Sequence, residues 1–503
     1  MPLHDLQAVA IAALVLLLVY WLRFRERLPH IPGPPSASWL TGNLTQLFNE
    51  NAWSFHAYLN KTFSGVVRVH TMFNAEDLLV FDSLTLHYIV IKELDNYDES
   101  DSTISKQRKM LKPLFSMRKM RDILPLIYPV AQDMRNGIAQ QLKNGPEVID
   151  LMRWFSRAAL EYIGRGGLGH SFGPLDDKDA SAYSDMISRL GHLFLRTTLL
   201  RNILPYVIDI GSPSFQRQAL RYLPSPAVRE MADIVDTLNQ KSADIIKSRK
   251  AALAAMGEDD SEAKDVSILG TLLKANLDTS KEDRVPDEEV LGQVSMFIFA
   301  GEDTTSHLLC RMLHQLAKHP ARQKTLDLPY LDAICRETLR VFPPLTHLPR
   351  VARQDTILPL AWPITATDRK TQIKEIAIKK GQSLMVSIIG ANHSTRIWGE
   401  DAEEWKPERW LQSEAPFVED ARLPGVYSSM MTFLGGSRAC MGFKFAEMEM
   451  KLVLSTIVEA FAFAEGPPIT WEMSSIVRPT VTGQRTTNAQ LPLKVSLAPT
   501  TNN

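Results

Sequence analysis

The sequence predicts one large, mainly α-helical domain with a smaller β-rich portion, preceded by a single membrane-spanning helix. Three observations carry this reading. Residues 6–22 form an uncharged, almost wholly apolar run. Residues 125–274 follow a mostly helical pattern, broken at Pro205 and at Pro224 and Pro226. A starter at 286–289 then leads into an apolar helical pattern over 290–316, closed by Pro320. With its starter that pattern spans roughly 45 Å by helical rise, enough to traverse a domain.

The bulk numbers set bounds on function. A chain of 503 residues, 45% hydrophobic, can build a large core. Its net charge of −1 excludes nucleic-acid binding through bulk electrostatics. Cys310, Cys335 and Cys440 are odd in number and far apart. They offer neither a disulfide framework nor zinc spacing, which suits a reducing compartment. No internal repeat stands out.

As a helix, residues 6–22 would span roughly 25 Å, which fits a thin bilayer such as that of the endoplasmic reticulum. The basic n-region and small-residue cleavage site of a signal peptide are missing. Arg23, Arg25 and Arg27 follow at once and place the rest of the chain on the cytoplasmic side. Pro32, Gly33, Pro34 and Pro35 then form a stiff connector. The expected organisation is an anchor and basic flank at 1–28, a hinge at 29–36 and a catalytic domain at 37–503. On the cytoplasmic side the sequons at Asn43, Asn60 and Asn392 would carry no glycan.

Alternating runs at 65–70 and 77–81 predict two strands of a hairpin or meander, and 85–94 a short helix. A charged surface loop is expected at 256–262. Leu193, Phe194, Leu195, Leu199 and Leu200 either face substrate or membrane or pack in the core. Two further strands, at 477–483 and 491–495, read as a C-terminal hairpin.

The chemistry gathers at residues 433–442, where Cys440 lies among glycines with Arg438 two residues before it. An apolar helical pattern over 443–463 follows, so Cys440 precedes a helix N-terminus. Backbone N–H groups and the positive end of the macrodipole there favour a thiolate. Gly435, Gly436 and Gly442 would let a large flat ligand approach the backbone, and Arg438 would suit a carboxylate. A buried, inert cysteine in a glycine-rich turn is the alternative for this stretch.

The stretch matches Phe-x-x-Gly-x-Arg-x-Cys-x-Gly at every fixed position and so resembles the haem-binding signature of cytochromes P450. The resemblance covers nearly the whole chain after the hinge, with four motifs in the family's order. It implies the P450 fold and haem b with Cys440 as axial ligand, flanked by Phe433, Gly435, Arg438 and Gly442. Electron donation from such a thiolate favours O–O cleavage. Residues 300–305, Ala-Gly-Glu-Asp-Thr-Thr, resemble the oxygen-activation motif. There Thr304 would hold the oxygen species and the proton-supplying water, and Asp303 would link them to solvent. Ala300 and Gly301 join the cofactor-binding set, while Met296 and Phe299 line the substrate side.

Arg108 and Arg350 stand where the family binds haem propionates; for Arg108 a solvated basic face is the equal alternative. Glu337 and Arg340 match the family's Glu-x-x-Arg pair, joined by Arg409 in a structural triad. Leu345, His347 and Val481 would reach toward substrate, with plain packing the competing role for His347. The resemblance implies electrons from NADPH through a cytochrome P450 reductase. Lys106, Arg108, Lys109, Lys112, Lys119, Lys444 and Lys451 are candidates for its docking face. The wording at 392–405 resembles P450s of filamentous fungi and mushrooms, which suggests oxidation of a lipophilic molecule, terpenoid or xenobiotic.

The sequence departs from the family at three places. Ile104 replaces the usual Trp or His, and only six residues separate it from Tyr97. A helical segment is also missing around Lys324. Two other readings therefore stand beside the monooxygenase: a degenerate or wrongly assembled P450 without turnover, and an oxygen-independent haem-thiolate isomerase or dehydratase. The intact Asp303-Thr304 pair opposes the second.

Overall fold

The computed structural model describes residues 28–49, 52–97, 108, 110–197, 211–223, 225–255, 266–278, 284–323, 327–411, 423–473, 475–484, 486 and 488–499. The expected membrane helix at 6–22, the short stretch after Tyr97 and Lys324 lie outside them. Among the described residues no helix is long and apolar enough to cross a membrane.

Helices dominate, with a smaller sheet portion, as the sequence patterns predict. In chain order the main elements are β1 (Val66–Thr71), β2 (Ala75–Val80), α1 (Met117–Gln141), β3 (Glu147–Asp150), α2 (Leu151–Tyr162) and α3 (Lys178–Arg196). Next come α4 (Pro226–Ala255), α5 (Asp287–Lys318), α6 (Leu328–Val341), β4 (His347–Val351), β5 (Thr356–Thr365), β6 (Gln372–Ile378) and β7 (Ser383–Ser387). The chain closes with α7 (Phe443–Ala460), β8 (Phe461–Ala464), β9 (Ile469–Glu472), β10 (Arg478–Val481) and β11 (Pro492–Leu497).

Local chemistry sets the helix ends. The side chains of Ser116, Asp150 and Asp327 accept the backbone N–H of Lys119, Met152 and Tyr330, capping α1, α2 and α6. Asp287, Glu288 and Glu289 occupy the first turn of α5, where the dipole favours negative charge. Pro125 and Pro129 lie inside α1 on its exposed side, while Ile123, Ile127, Val130, Met134 and Ile138 are buried. Apolar burial on one stripe thus offsets the hydrogen bonds those prolines remove. From Thr305 to Ala317 every residue of α5 is buried. This helix is the central one, packed against α2, α4, α6 and α7.

β1 and β2 pair antiparallel as expected, through a turn in which Phe73 and Asn74 take positive φ. Strands β7 and β4 extend them into a four-stranded sheet ordered β1-β2-β7-β4. Two expectations fail nearby. The C-terminal hairpin does not form: β10 pairs with β9, and β11 lies between β3 and β8. Leu491, Leu493 and Val495 are fully buried by that long-range pairing, which local alternation cannot foresee. The helix expected to reach 463 stops at Ala460, because Phe461 and Phe463 are buried in strand β8 against β11.

Candidate active site

Cys440 stands two residues before Gly442, the N-cap of α7. Its amide donates to the Phe433 carbonyl at 2.8 Å, closing residues 433–440 into a loop. A Cβ at Gly435 would meet the Pro424 carbonyl oxygen at 1.6 Å, and one at Gly436 (φ +67°) the Val90 oxygen at 2.1 Å. These two glycines are therefore required by the folding of the loop itself. Gly442 differs: nothing lies within 4 Å of where its Cβ would be.

The Cys440 side chain is exposed by surface area, yet protein surrounds and desolvates it. The two facts agree if the sulphur faces an enclosed space and not bulk water. Burial pushes the thiol up; the Gly442 backbone N–H and the Arg108 guanidinium pull it back down. The helix terminus thus favours the thiolate, as its dipole requires, but desolvation outweighs it. Arg108 donates from Nε to the Ser437 carbonyl at 2.9 Å and from Nη2 to that of Ala439. Arg350 on β4 donates to the Pro349 carbonyl at 2.8 Å. Arg438 and Phe433 are half-buried, and the Phe433 ring packs edge-on to Tyr427 at 5.9 Å.

Across α5, spacing separates two faces. Met296, Ala300 and Thr304 recur every four residues and are all accessible, Met296 at 57%. Gly301 and Phe299 flank them, half-buried. The Thr304 hydroxyl donates back to the Ala300 carbonyl at 2.8 Å, and the helix runs on unbroken. Glu302 and Asp303 turn the other way, 0% and 1% exposed. Asp303 therefore has no direct route to solvent, contrary to expectation. Its Oδ1 lies 3.1 Å from His307 Nδ1.

Behind this face sits a buried carboxyl pair. The Ser184 hydroxyl donates to Glu302 Oε1 at 2.6 Å. Among the described residues, Glu302 Oε2, both oxygens of Glu449 on α7 and the Tyr162 hydroxyl have no hydrogen-bond partner. Burial, then the neighbouring Asp303, raises Glu302 well above the usual carboxylate range; burial and Glu302 do the same to Glu449. The sequence reading missed Glu449. Its signal was position: it stands between Phe445 and Val453 on the four-residue stripe of α7 that is buried.

Glu337, Arg340 and Arg409 meet in the core. Arg340 grips Glu337 with two bonds of 2.9 and 2.7 Å, and Arg409 Nε comes within 3.5 Å of the same carboxylate. Trp410 Nε1 and the Lys406 amide satisfy the remaining lone pairs at 2.9 and 3.1 Å. A buried ion pair needs such completeness to offset its desolvation.

Some expected site residues lie elsewhere. His347 bonds Thr346 Oγ1 at 3.0 Å and Ser387 Oγ at 3.3 Å, and its ring packs on His56 at 4.7 Å. That is a packing role, not a substrate contact; burial holds this imidazole well below its ordinary value. Leu345 and Val481 are half-buried. In the expected docking face, Lys451 is paired with Asp332 and Glu447, and Lys119 donates to Thr271 Oγ1, which removes both from a free basic surface. Leu193 is buried and Phe194 packs on Phe299, while residues 199 and 200 fall outside the described residues. A cleft of about 650 Å³ beside Phe172, Tyr183 and Lys241 is lined by none of the expected site residues.

Comparison with known proteins agrees with this arrangement. The profile described as Cytochrome P450 matches residues 92–486. Cytochrome P450 monooxygenases 91 and 81 of Postia placenta are 39% and 40% identical, covering 93% and 97% of this chain and 94% and 96% of their own. The ganoderic acid synthetase CYP5150L8 of Ganoderma lucidum is 33% identical, covering 98% of this chain and 99% of its own. That last alignment runs over 549 positions, more than the 503 residues here, so the relative carries segments this chain lacks. A family profile across most of the chain and relatives near 40% identity end to end lead to one conclusion: this chain belongs to the cytochrome P450 family and is an oxidoreductase of the monooxygenase kind.

Proposed function

We propose that the chain is a membrane-anchored haem-thiolate monooxygenase that inserts one oxygen atom from O2 into a lipophilic small molecule such as a terpenoid. The observation that carries it is the Cys440 sulphur, accessible yet enclosed by protein, in a fold whose central helix presents an accessible stripe at Met296, Ala300 and Thr304. These residues fit haem. Cys440 would supply the axial thiolate, Gly442 open space beside it, and Ala300 and Gly301 a surface without bulk. Arg108, Arg350 and Arg438 are the cations for its carboxylates. Bound there, haem supplies the oxygen-activating chemistry of the family.

The chain's own residues do the rest. Thr304 keeps its hydroxyl at the accessible face by donating to the Ala300 carbonyl, which leaves its lone pairs to orient a water. Asp303, one residue earlier, is the group that exchanges the proton. Phe299, Leu345 and Val481 contribute apolar wall that excludes bulk water. Electrons from NADPH arrive through a reductase, the N-terminal segment 1–28 anchors the protein in the endoplasmic reticulum membrane, and the hinge at 29–36 leads to a cytoplasmic catalytic domain. The relative named a ganoderic acid synthetase favours biosynthetic over detoxifying oxidation.

The test is the reduced, carbon-monoxide difference spectrum of the expressed chain beside Cys440→Ala. A strongly red-shifted Soret band that the substitution abolishes supports the reading, and substrate screening with a reductase follows. Failure to hold haem, or a band lacking the thiolate shift, overturns it in favour of a degenerate P450. Turnover without O2 and NADPH would instead mark an isomerase or dehydratase.

A further inference from the structure

Asp303 needs a proton supply, yet it is 1% exposed and closed in by α3, where a methyl at Gly191 would stand 3.6 Å from Oδ2. The other oxygen points along α5 to His307, and beyond His307 at the same four-residue spacing comes Arg311. All three are buried. The His307 Nδ1 atom contacts the Asp303 backbone carbonyl as well as Oδ1. A carbonyl only accepts, so Nδ1 carries the hydrogen, and in the neutral ring Nε2 then keeps its lone pair. Nε2 has no hydrogen-bond partner among the described residues.

It does have a neighbour of suitable chemistry. His307 and Arg311 line one cavity of about 10 Å³ together with Phe342, Pro344, Trp471 and Val477, room for a single water. The Arg311 guanidinium lies over the rings of Phe342, Trp471 and Trp53, at 3.7, 4.2 and 5.4 Å. Those rings balance its charge and fix its position. No carboxylate pairs with it among the described residues, and its Nε is buried without a partner. A guanidinium donates and an unprotonated Nε2 accepts, so the two are complementary, yet Arg311 Nε and His307 Nε2 are both left without a partner among the described residues; what joins them across the cavity is a group that accepts from one and donates to the other. Water does both.

The geometry points to His307 as the positioning residue for Asp303, held in its Nδ1–H form by a water that accepts from Arg311 and donates to Nε2. This deepens the monooxygenase reading and rests on it. The arrangement fixes which way the Asp303 carboxyl turns. Other ionisable groups facing this region are Glu302 on α5, Glu449 on α7 and Asp185 on α3. Burial favours the neutral form of the two glutamates; His307 Nδ1, bonded to the Asp303 backbone carbonyl, lies 3.1 Å from Oδ1, which has no hydrogen-bond partner among the described residues.

The first measurement needs no turnover. In the carbon-monoxide complex of the haem-loaded, ¹⁵N-histidine-labelled protein, His307 should show a protonated Nδ1 and an unprotonated, hydrogen-bonded Nε2. Arg311→Met should shift the Nε2 resonance although Arg311 does not touch the ring. A crystal structure should place one water between Nε2 and the guanidinium. A ring protonated at Nε2, or a dry cavity, overturns the proposal even if the carbon-monoxide band is normal. Absence of that band would instead count against the monooxygenase reading itself. In turnover, His307→Gln should raise the share of electrons lost as peroxide by about tenfold, below the usual range for a positioned proton-transfer group. KM should not change. Unchanged peroxide release would also overturn the proposal.

Discussion

Glu449 is a single carboxyl in an apolar interior, and its behaviour follows from one balance. Both oxygens lack partners, so the charged form would be stranded. Its folded-state value therefore lies well above the ordinary 4.5, driven by burial and by Glu302. Above pH 4.5 the unfolded chain has released this proton while the folded chain keeps it, so the group lowers stability as pH rises. Glu449→Gln removes that dependence. Unfolding measured at several pH values should show the variant gaining on the wild type by about 1.4 kcal/mol per pH unit above 4.5. A constant difference would mean the carboxyl is ionised in the folded protein. Thr304, Asp303 and Cys440 were legible as residues because their motifs are contiguous. Glu449, His307 and Arg311 were not, since each is one polar letter in an apolar helix until packing shows what it faces.

At the scale of elements, the loop before α7 separates two kinds of glycine that look alike in sequence. Gly435 is pressed against the Pro424 carbonyl, so Gly435→Ala must displace backbone and should cost about 1–3 kcal/mol along with haem retention. Gly442 borders open space. Gly442→Ala should leave the stability of the apoprotein within about 0.5 kcal/mol, the range of a substitution that meets no neighbour. It should weaken haem retention alone. Thermal unfolding of apo and haem-loaded forms distinguishes the pair, and equal losses in the apo forms would refute the distinction. The α6 triad is the counterpart by charge. With Arg340 0% exposed and gripping Glu337, Glu337→Ala leaves the buried Arg340 guanidinium without its carboxylate, while Arg409 keeps Asp401 at 2.8 Å. It should cost about 3–5 kcal/mol in denaturant unfolding. The i,i+3 spacing of Glu337 and Arg340 announced their contact, whereas burial and the third partner came from the fold.

For the whole molecule, buried imidazoles set the acid limit. Burial lowers His56 to about 4 and His314 and His393 to about 3, from an ordinary 6.5. The folded values lie below the unfolded one, so each contribution is complete above pH 6.5 and is lost as pH falls toward 3–4. Each takes about 1.4 kcal/mol per pH unit, the cost of one proton bound only by the unfolded chain. Between pH 4.5 and 6.5 the carboxyls of Glu302 and Glu449 act in the opposite sense and flatten the profile. Below 4.5 that opposition ends, so stability should drop steeply there. Melting temperature against pH, with His393→Asn as control, checks this; a variant as acid-sensitive as the wild type would assign the loss elsewhere.

Contiguous residues determined the central helix, the cysteine loop, the oxygen-side motif, the first strand pair and the Glu-x-x-Arg helix, because each depends on periodicity, caps or a fixed short spacing. Only the tertiary structure decided what depends on distant partners. The C-terminal strands chose β9, β3 and β8 over each other because that pairing buries Leu491, Leu493 and Val495. His347 became a packing residue because Thr346, Ser387 and His56 converge on it. Asp303 lost its expected opening to solvent because α3 closes over it, and gained His307 instead. Burial of a side chain is a property of everything that surrounds it, and that is not written in its neighbours along the chain.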